Sequence, residues 1–136
     1  MYITLETDYA VRIVNCLVRH GRRMDAQTLS DKTKVTLRFS LKILRKLAAA
    51  GIVRSFKGAG GGYELAKAPE EISLNDIVET IEGVYSFCRC LGDSYYCSEF
   101  GAGGGICSFR DVYDDISLVV REKLKKATFG AGRNFK

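Results

Sequence analysis

The sequence predicts a mainly α-helical chain that carries one small β-hairpin. Three observations lead there. Apolar residues recur at helical spacing in several segments, and two of those segments are joined by a three-residue turn. A strand-like run then flanks each side of Gly58-Ala59-Gly60-Gly61-Gly62. At 136 residues the chain is about one domain, long enough to bury a core without covalent staples. Hydrophobic residues make up 46% and charged residues 27%, the composition of a globular protein. No apolar run approaches the roughly 20 residues of a membrane span. The opening Met1-Tyr2-Ile3-Thr4-Leu5-Glu6 lacks the basic start and apolar stretch of a secretory signal. A cytoplasmic protein with no membrane partner is therefore expected.

Residues 7–19 read as a helix, with Tyr9, Ile13, Cys16 and Leu17 on the buried face and Gly21 as its stop. On that face Cys16 is a core residue rather than a ligand. His20, the one histidine, sits near the helix end, where a cation is favoured. Asp25 caps a short helix through about Lys32, and Thr36 caps the next, from Leu37 to Ala50. The intervening turn, Thr33-Lys34-Val35, makes the pair a helix-turn-helix. Strands at 52–56 and 63–65 around the glycine-rich tip then form a wing. Ser73 and Asp76 form a capping box for a helix through Glu82, with Ile77, Val78 and Ile81 inward. Residues 84–108 lack a regular pattern and read as an irregular loop. A final helix from Phe109 or Asp111 carries Val112, Ile116, Val119, Val120 and Leu124 at helical spacing, and the basic tail from Thr128 is expected to fray. The fold class is thus a winged helix-turn-helix followed by a long C-terminal helix.

The charge is unevenly placed. Residues 1–68 hold 13 Lys/Arg against 5 Asp/Glu, a balance of +8, whereas residues 69–136 hold 8 against 11, a balance of −3. A basic half suggests a module for a polyanion. On a wheel of about 100° per residue, Leu37, Leu41, Leu44 and Ala48 share one side of the third helix, extended by Ile43, Leu47 and Phe39. Arg38, Lys42, Arg45 and Lys46 share the other, the stripe a recognition helix turns to a DNA groove. Arg38 and Lys42, near the helix start, are the candidate base readers. Lys34, Thr36, Arg45 and Lys46 are candidate phosphate contacts, as are Arg54 and Lys57 on the wing. Phe39 on the helix, with Ala59 and Gly60 at the wing tip, completes the candidate DNA surface. The tip is not a nucleotide loop: the third glycine of G-x-G-x-x-G would fall on Tyr63, and a strand follows. Its glycines are expected to allow close approach to DNA.

Four of the five cysteines, Cys88, Cys90, Cys97 and Cys107, lie within 20 residues. In a reducing compartment that clustering points to metal binding or redox chemistry rather than disulfides. Structural zinc usually shows cysteines paired two to four apart on both sides. Here only a C-x-C and two single cysteines occur, and Gly101-Ala102-Gly103-Gly104-Gly105, between Cys97 and Cys107, is expected to let the backbone curl around a cluster. An iron–sulfur cluster, zinc and a thiol sensor all remain open on spacing alone.

The chain resembles the Rrf2-type bacterial regulators, the family that includes IscR, NsrR, RirA and CymR, and within it the cluster-binding IscR-like members. The resemblance rests on Thr7-Asp8-Tyr9-Ala10-Val11-Arg12, on Leu41-Lys42-Ile43-Leu44-Arg45-Lys46-Leu47 followed by Ala50-Gly51-Ile52-Val53, on the wing Gly58 to Leu65, and on three cysteines before the last helix. It implies a homodimer whose C-terminal helices cross, with two recognition helices on a palindromic double-stranded operator whose half-sites lie roughly 34 Å apart. It also implies that Cys90, Cys97 and Cys107 hold a cluster, [2Fe-2S] ahead of [4Fe-4S]. For the fourth ligand, the position three after the last cysteine, a histidine in IscR-like members, is Arg110 here. Asp8 of the partner subunit matches the aspartate that NsrR-like members use, and Cys88 is a further candidate. Where IscR-like members carry a base-contacting glutamate stands Leu41.

The expected organisation is a DNA-binding winged helix at 1–68, a connecting helix at 69–83, a cluster-binding loop at 84–108, and a dimerisation helix and tail at 109–136. The expected function is a repressor whose DNA binding follows cluster status, redox state or nitric oxide. The rivals are a cluster-free regulator of the CymR type, responding through thiols or a partner protein, and an iron–sulfur electron-transfer protein. No nucleophile–base pair or metalloprotease motif suggests an enzyme.

Overall fold

The computed structural model describes residues 2–92, 96–99, 101–102 and 107–130. The first helix, α1 (Leu5–His20), begins two residues before the periodic pattern, because the Thr7 N–H donates to Thr4 Oγ1 at 3.2 Å and caps it there. It stops at Gly21, whose φ of 61° lets its N–H turn back to the Leu17 carbonyl. Helix α2 (Ala26–Thr33) is capped by Asp25, which accepts from the Thr28 N–H at 2.8 Å. Helix α3 (Leu37–Ala49) is capped by Thr36, which accepts from the Phe39 N–H at 3.3 Å. The turn between α2 and α3 is fixed from both sides, since the Ser30 and Ser40 hydroxyls both donate to the Val35 carbonyl. Val35 itself is buried.

The wing is a two-stranded antiparallel hairpin, β1 (Val53–Phe56) with β2 (Gly62–Leu65), in the register Val53↔Leu65 to Phe56↔Gly62. Tyr63 also bridges to Met24, its N–H donating to the Met24 carbonyl at 2.8 Å, so the wing is tied to the turn between α1 and α2. Close approaches within the chain account for two of the tip glycines. A Cβ on Gly61 would lie 2.5 Å from the Phe56 carbonyl oxygen, and one on Gly62 would lie 2.6 Å from that of Met24. After a short turn at Pro69–Glu71 comes α4 (Leu74–Glu82), with the reciprocal Ser73–Asp76 capping box and Gly83 at its end. A second small hairpin, β3 (Tyr96–Cys97) with β4 (Gly101–Ala102), lies within the segment read as irregular. Helix α5 (Ser108–Lys126) follows.

One core joins these elements. Ile13, Leu17, Leu29, Ile43, Leu44 and Leu47 meet between α1, α2 and α3, and Ile72 and Ile77 from the α4 region complete the same cluster. Phe129 belongs to it as well, which corrects the expectation of a fraying tail. Thr128 pairs with Ser73, the Leu74 N–H donates to the Ala127 carbonyl at 2.8 Å, and the Phe129 N–H donates to that of Ile72 at 3.0 Å. An aromatic ring that can leave water outweighs the basic character of its neighbours. The tail beyond 130 lies outside the described residues.

A second correction concerns α3. Its buried arc is Ser40, Ile43, Leu44 and Leu47, whereas Leu37, Phe39 and Leu41 are 39%, 40% and 37% exposed. The wheel reading assigned Leu37 and Leu41 inward because they are apolar. The buried arc is centred about 80° away on the wheel, and it includes the fully buried Ser40, whose hydroxyl donates to the Val35 carbonyl.

Gly62→Ala is expected to lower the stability of the folded chain by about 1–3 kcal/mol, because the added carbon must displace the Met24 peptide. Urea unfolding of the two proteins checks it; an unchanged midpoint would mean that the wing does not depend on this approach.

Candidate nucleic-acid interface and cysteine segment

With Ser40, Ile43, Leu44 and Leu47 inside, helical geometry turns Arg38, Lys42 and Arg45 outward, and all three are exposed. Together with Leu37, Phe39 and Leu41 they line a shallow concavity of about 740 Å³. Phe39 is held by Tyr9 of α1, ring centroids 5.8 Å apart and nearly perpendicular, and Lys42 Nζ lies 5.6 Å from the Phe39 ring. Thr36 and Lys34 are exposed at the mouth of the helix. Lys34 takes φ 61°, a conformation that disfavours any residue with a Cβ by about 1–2 kcal/mol.

Lys46 differs from the rest of the cationic stripe. It is half-buried, and its Nζ lies 2.7 Å from Glu6 Oε1, which also meets Lys42 at 3.5 Å. The hydrogen bond from Lys46 is the largest influence that draws the Glu6 carboxyl below its ordinary pKa, ahead of burial, which opposes it. Glu6 was not legible as a site residue, because its partners Lys42 and Lys46 lie some forty residues along the chain. Thr7, next to it and fully buried, donates its hydroxyl to Glu82, the last residue of α4, and the Thr4 N–H donates to the same carboxylate at 3.4 Å. The start of α1 is therefore tied both to α3 and to the point where the cysteine segment leaves α4.

On the wing, Arg54, Lys57, Ala59 and Gly60 are all exposed. Arg23 holds the tip in place. Its guanidinium stacks 3.4 Å from the Phe56 ring centroid, donates to the Gly60 carbonyl at 3.3 Å and lies 3.6 Å from Glu64. Planar stacking combined with forked donation is what an arginine offers and a lysine does not. Sequence reading missed it, because Arg22-Arg23 is outwardly one more basic pair in a turn.

Cys88, Cys90, Cys97 and Cys107 are free and half-buried. Cys88 and Cys90 lie around a tight turn at Arg89–Leu91, Cys97 lies on β3, and Cys107 immediately precedes α5. The near end of the segment is stapled to α5. The Phe87 N–H donates to Ser117 Oγ at 2.8 Å, Arg121 donates to the Tyr85 carbonyl at 2.7 Å, and Arg110 Nε donates to the Cys90 carbonyl at 3.3 Å. Arg110, at the position of the missing histidine, is thus a clamp for the backbone beside a cysteine. The backbone N–H of Cys90, then its thiol, face the Cys88 sulfur and lower the Cys88 pKa, while Cys90 is raised chiefly by the same contact. The donor set, four reduced thiols on one segment, has the chemistry for an iron–sulfur cluster. Among the described residues, no three His, Cys, Asp or Glu side chains converge to hold a metal ion. Of the stretch Gly101 to Gly105, expected to curl around a cluster, Gly101 and Ala102 form β4, and Gly103, Gly104 and Gly105 lie outside the described residues. Asp8 is engaged by Arg12 of its own helix at 2.8 Å. Cys16 is buried as expected, and His20 Nδ1 donates to the Cys16 carbonyl at 2.8 Å.

Glu6→Gln is expected to destabilise the fold by less than about 1 kcal/mol near neutral pH, the scale of a partly exposed ion pair. Since the folded carboxyl titrates below its unfolded value, the advantage of Glu6 exists above the ordinary carboxylate range and fades as pH falls through the lowered pKa. Paired urea titrations across that range read the convergence.

A family model described as "Rrf2: Iron-dependent Transcriptional regulator" matches residues 3–131. The HTH-type transcriptional regulator NsrR of Bacillus subtilis (strain 168) is 26% identical over 130 residues, which span 94% of this chain and 87% of that protein. The structure of T. potens IscR matches with a TM-score of 0.73 at 21% identity, covering 95% of this chain and 83% of that one. CymR of B. subtilis, described as its global cysteine regulator, matches with a TM-score of 0.73 at 21% identity, covering 95% and 93%. Among the described residues no helix is long and apolar enough to cross a membrane. With the family model reaching from the first helix to the core residue Phe129, the chain belongs to the Rrf2 family of DNA-binding transcriptional regulators and is not an enzyme.

Proposed function

We propose that the chain is a homodimeric repressor that reads a palindromic operator with α3 and the wing, and whose DNA affinity is set by a cluster on the cysteine segment. The observation that carries this is the outward face of α3, where Arg38, Lys42 and Arg45 stand together on the second helix of a helix-turn-helix. Arg38 and Lys42 donate to base edges. Lys34, Thr36, Arg45, Arg54 and Lys57 hold phosphates, and Lys46 does so in competition with Glu6. Residues 1–68 form the DNA-reading unit and 84–108 the sensing segment. A second copy covers the side of α5 on which Phe109, Val112 and Val119 are more than half exposed, because apolar residues at helical spacing on a single exposed stripe are otherwise unsatisfied.

Cys90, Cys97 and Cys107 would hold the cluster, with Asp8 of the partner subunit or Cys88 as the fourth ligand; when bound it supplies a charge and crosslink that respond to oxidants, nitric oxide or iron supply. The chain's own residues would carry the consequence. Ser117, Arg121 and Arg110 hold the near end of the segment on α5, and Glu82, just before that same end, is joined to Thr7 on α1, beside the Glu6 that engages α3. A shift of the segment therefore bears on both the dimer helix and the recognition helix, and biases the dimer between states of different DNA affinity. IscR and NsrR relatives support the cluster reading. One observation favours a thiol-regulated alternative, the contact between Cys88 and Cys90, together with the likeness to CymR.

Anaerobic purification is expected to give a coloured protein with iron and acid-labile sulfide, and Cys97→Ala a colourless, folded dimer. An unchanged spectrum in that variant would remove Cys97 from the ligand set, while a colourless wild-type protein with normal DNA binding would favour the thiol reading. Arg38→Ala or Lys42→Ala is expected to weaken specific binding by about 1–3 kcal/mol. Equal operator affinity in a fluorescence titration would assign base reading to another surface.

A further inference from the structure

We infer that Leu37 and Leu41 are specificity residues that read thymine, packing on its C5-methyl group in the major groove beside the base contacts of Arg38 and Lys42. The inference rests on the DNA-binding reading and deepens it. Leu37 and Leu41 are 39% and 37% exposed, and they line the same concavity as Arg38, Lys42 and Arg45. Leaving leucines in water is unfavourable, so the surface lacks an apolar partner in the free chain.

The surrounding charges decide what that partner is. Arg38 follows Leu37, Lys42 follows Leu41, and Arg45 lies one turn further on, all three exposed. A second copy docked here would oppose like charges. The exposed stripe of α5, with Phe109, Val112 and Val119, offers a copy a contact free of that cluster. A polyanion instead neutralises the cations and brings base edges against the leucines. On those edges the thymine methyl is the one apolar group, and a leucine, with no donor or acceptor, can discriminate only by touching it. Leu37 and Leu41 are four residues apart on one face, a rise of about 6 Å, so they reach methyl groups within about two base-pair steps of each other. An acidic side chain at position 41 would instead accept from an amino group such as that of cytosine, so the leucine exchanges one base preference for another.

The experiment selects bound sequences from a randomised duplex library with the wild-type dimer, then replaces each thymine of the selected half-site by deoxyuridine, which deletes only the methyl group. Wild-type protein is expected to lose roughly fourfold in affinity at one or two positions per half-site, the scale of one buried methyl. Leu41→Ala, a change at an exposed site whose folding is checked by thermal unfolding, is expected to bind thymine and deoxyuridine equally at one of them. Leu37→Ala is expected to do the same at the other. An enriched operator indifferent to every deoxyuridine, or a Leu41→Ala variant with undiminished discrimination at all positions, overturns the inference and leaves the regulator reading standing. No enriched sequence from a folded dimer overturns both.

Discussion

The charged outer face of the helix-turn-helix depends on how α3 is rotated about its own axis. Ser40, Ile43, Leu44 and Leu47 must be buried against α1 and α2, and that single constraint decides which side chains remain outside. The burial of four residues is a strong restraint, since interiors are packed closely enough that a helix cannot roll without opening voids. The serine hydroxyls that converge on the Val35 carbonyl fix the angle of entry, and the Thr36 cap fixes the helix start. The outward face then follows: three cations, with two leucines along one margin and Phe39 on the other.

Around that centre, several polar contacts set the position of the neighbouring parts. Arg23 steadies the wing tip with one stacking contact and one hydrogen bond. Glu6 balances two lysines, and Glu82 fastens the start of α1. Among the described residues the near end of the cysteine segment is held on α5 through the Tyr85 and Cys90 carbonyls, the Ser117 hydroxyl and a tilted contact of the Phe87 and Tyr113 rings. Contacts of this kind are modest singly, about 0.5–1.5 kcal/mol each, and so are suited to being rearranged. The division is plain: the outward face of α3 is set by packing, and its surroundings by bonds that a small change can move.

Much of the fold was legible because its signals are local. Caps at Asp25, Thr36 and Ser73, the stop at Gly21, and the glycine-rich wing each announce themselves within a few residues. What was not legible depends on distance along the chain. The burial of Phe129 needs Ile72, more than fifty residues away, and nothing around Thr128 hints at it. The outward turn of Leu37 and Leu41 was hidden because an apolar residue on a helix is ordinarily an inward one, and only the position of α1 says otherwise. Arg23 and Glu6 were invisible for the same reason: each acts on an element far along the sequence. For the cysteines, spacing identified the donors but not what they hold.

The return of Phe129 to the core has a structural consequence for modularity. Helix α5 is not a free arm appended to a self-sufficient head, because the chain emerging from it re-enters beneath α4 and closes the hydrophobic interior that α3 rests on. Residues 1–68 taken alone would leave Ile72, Ile77 and Phe129 behind and expose the underside of the helical head. Helix α5 and the helix-turn-helix are consequently coupled in cooperativity: a perturbation that loosens the far end of α5 registers in the same unfolding transition as one in α3 itself.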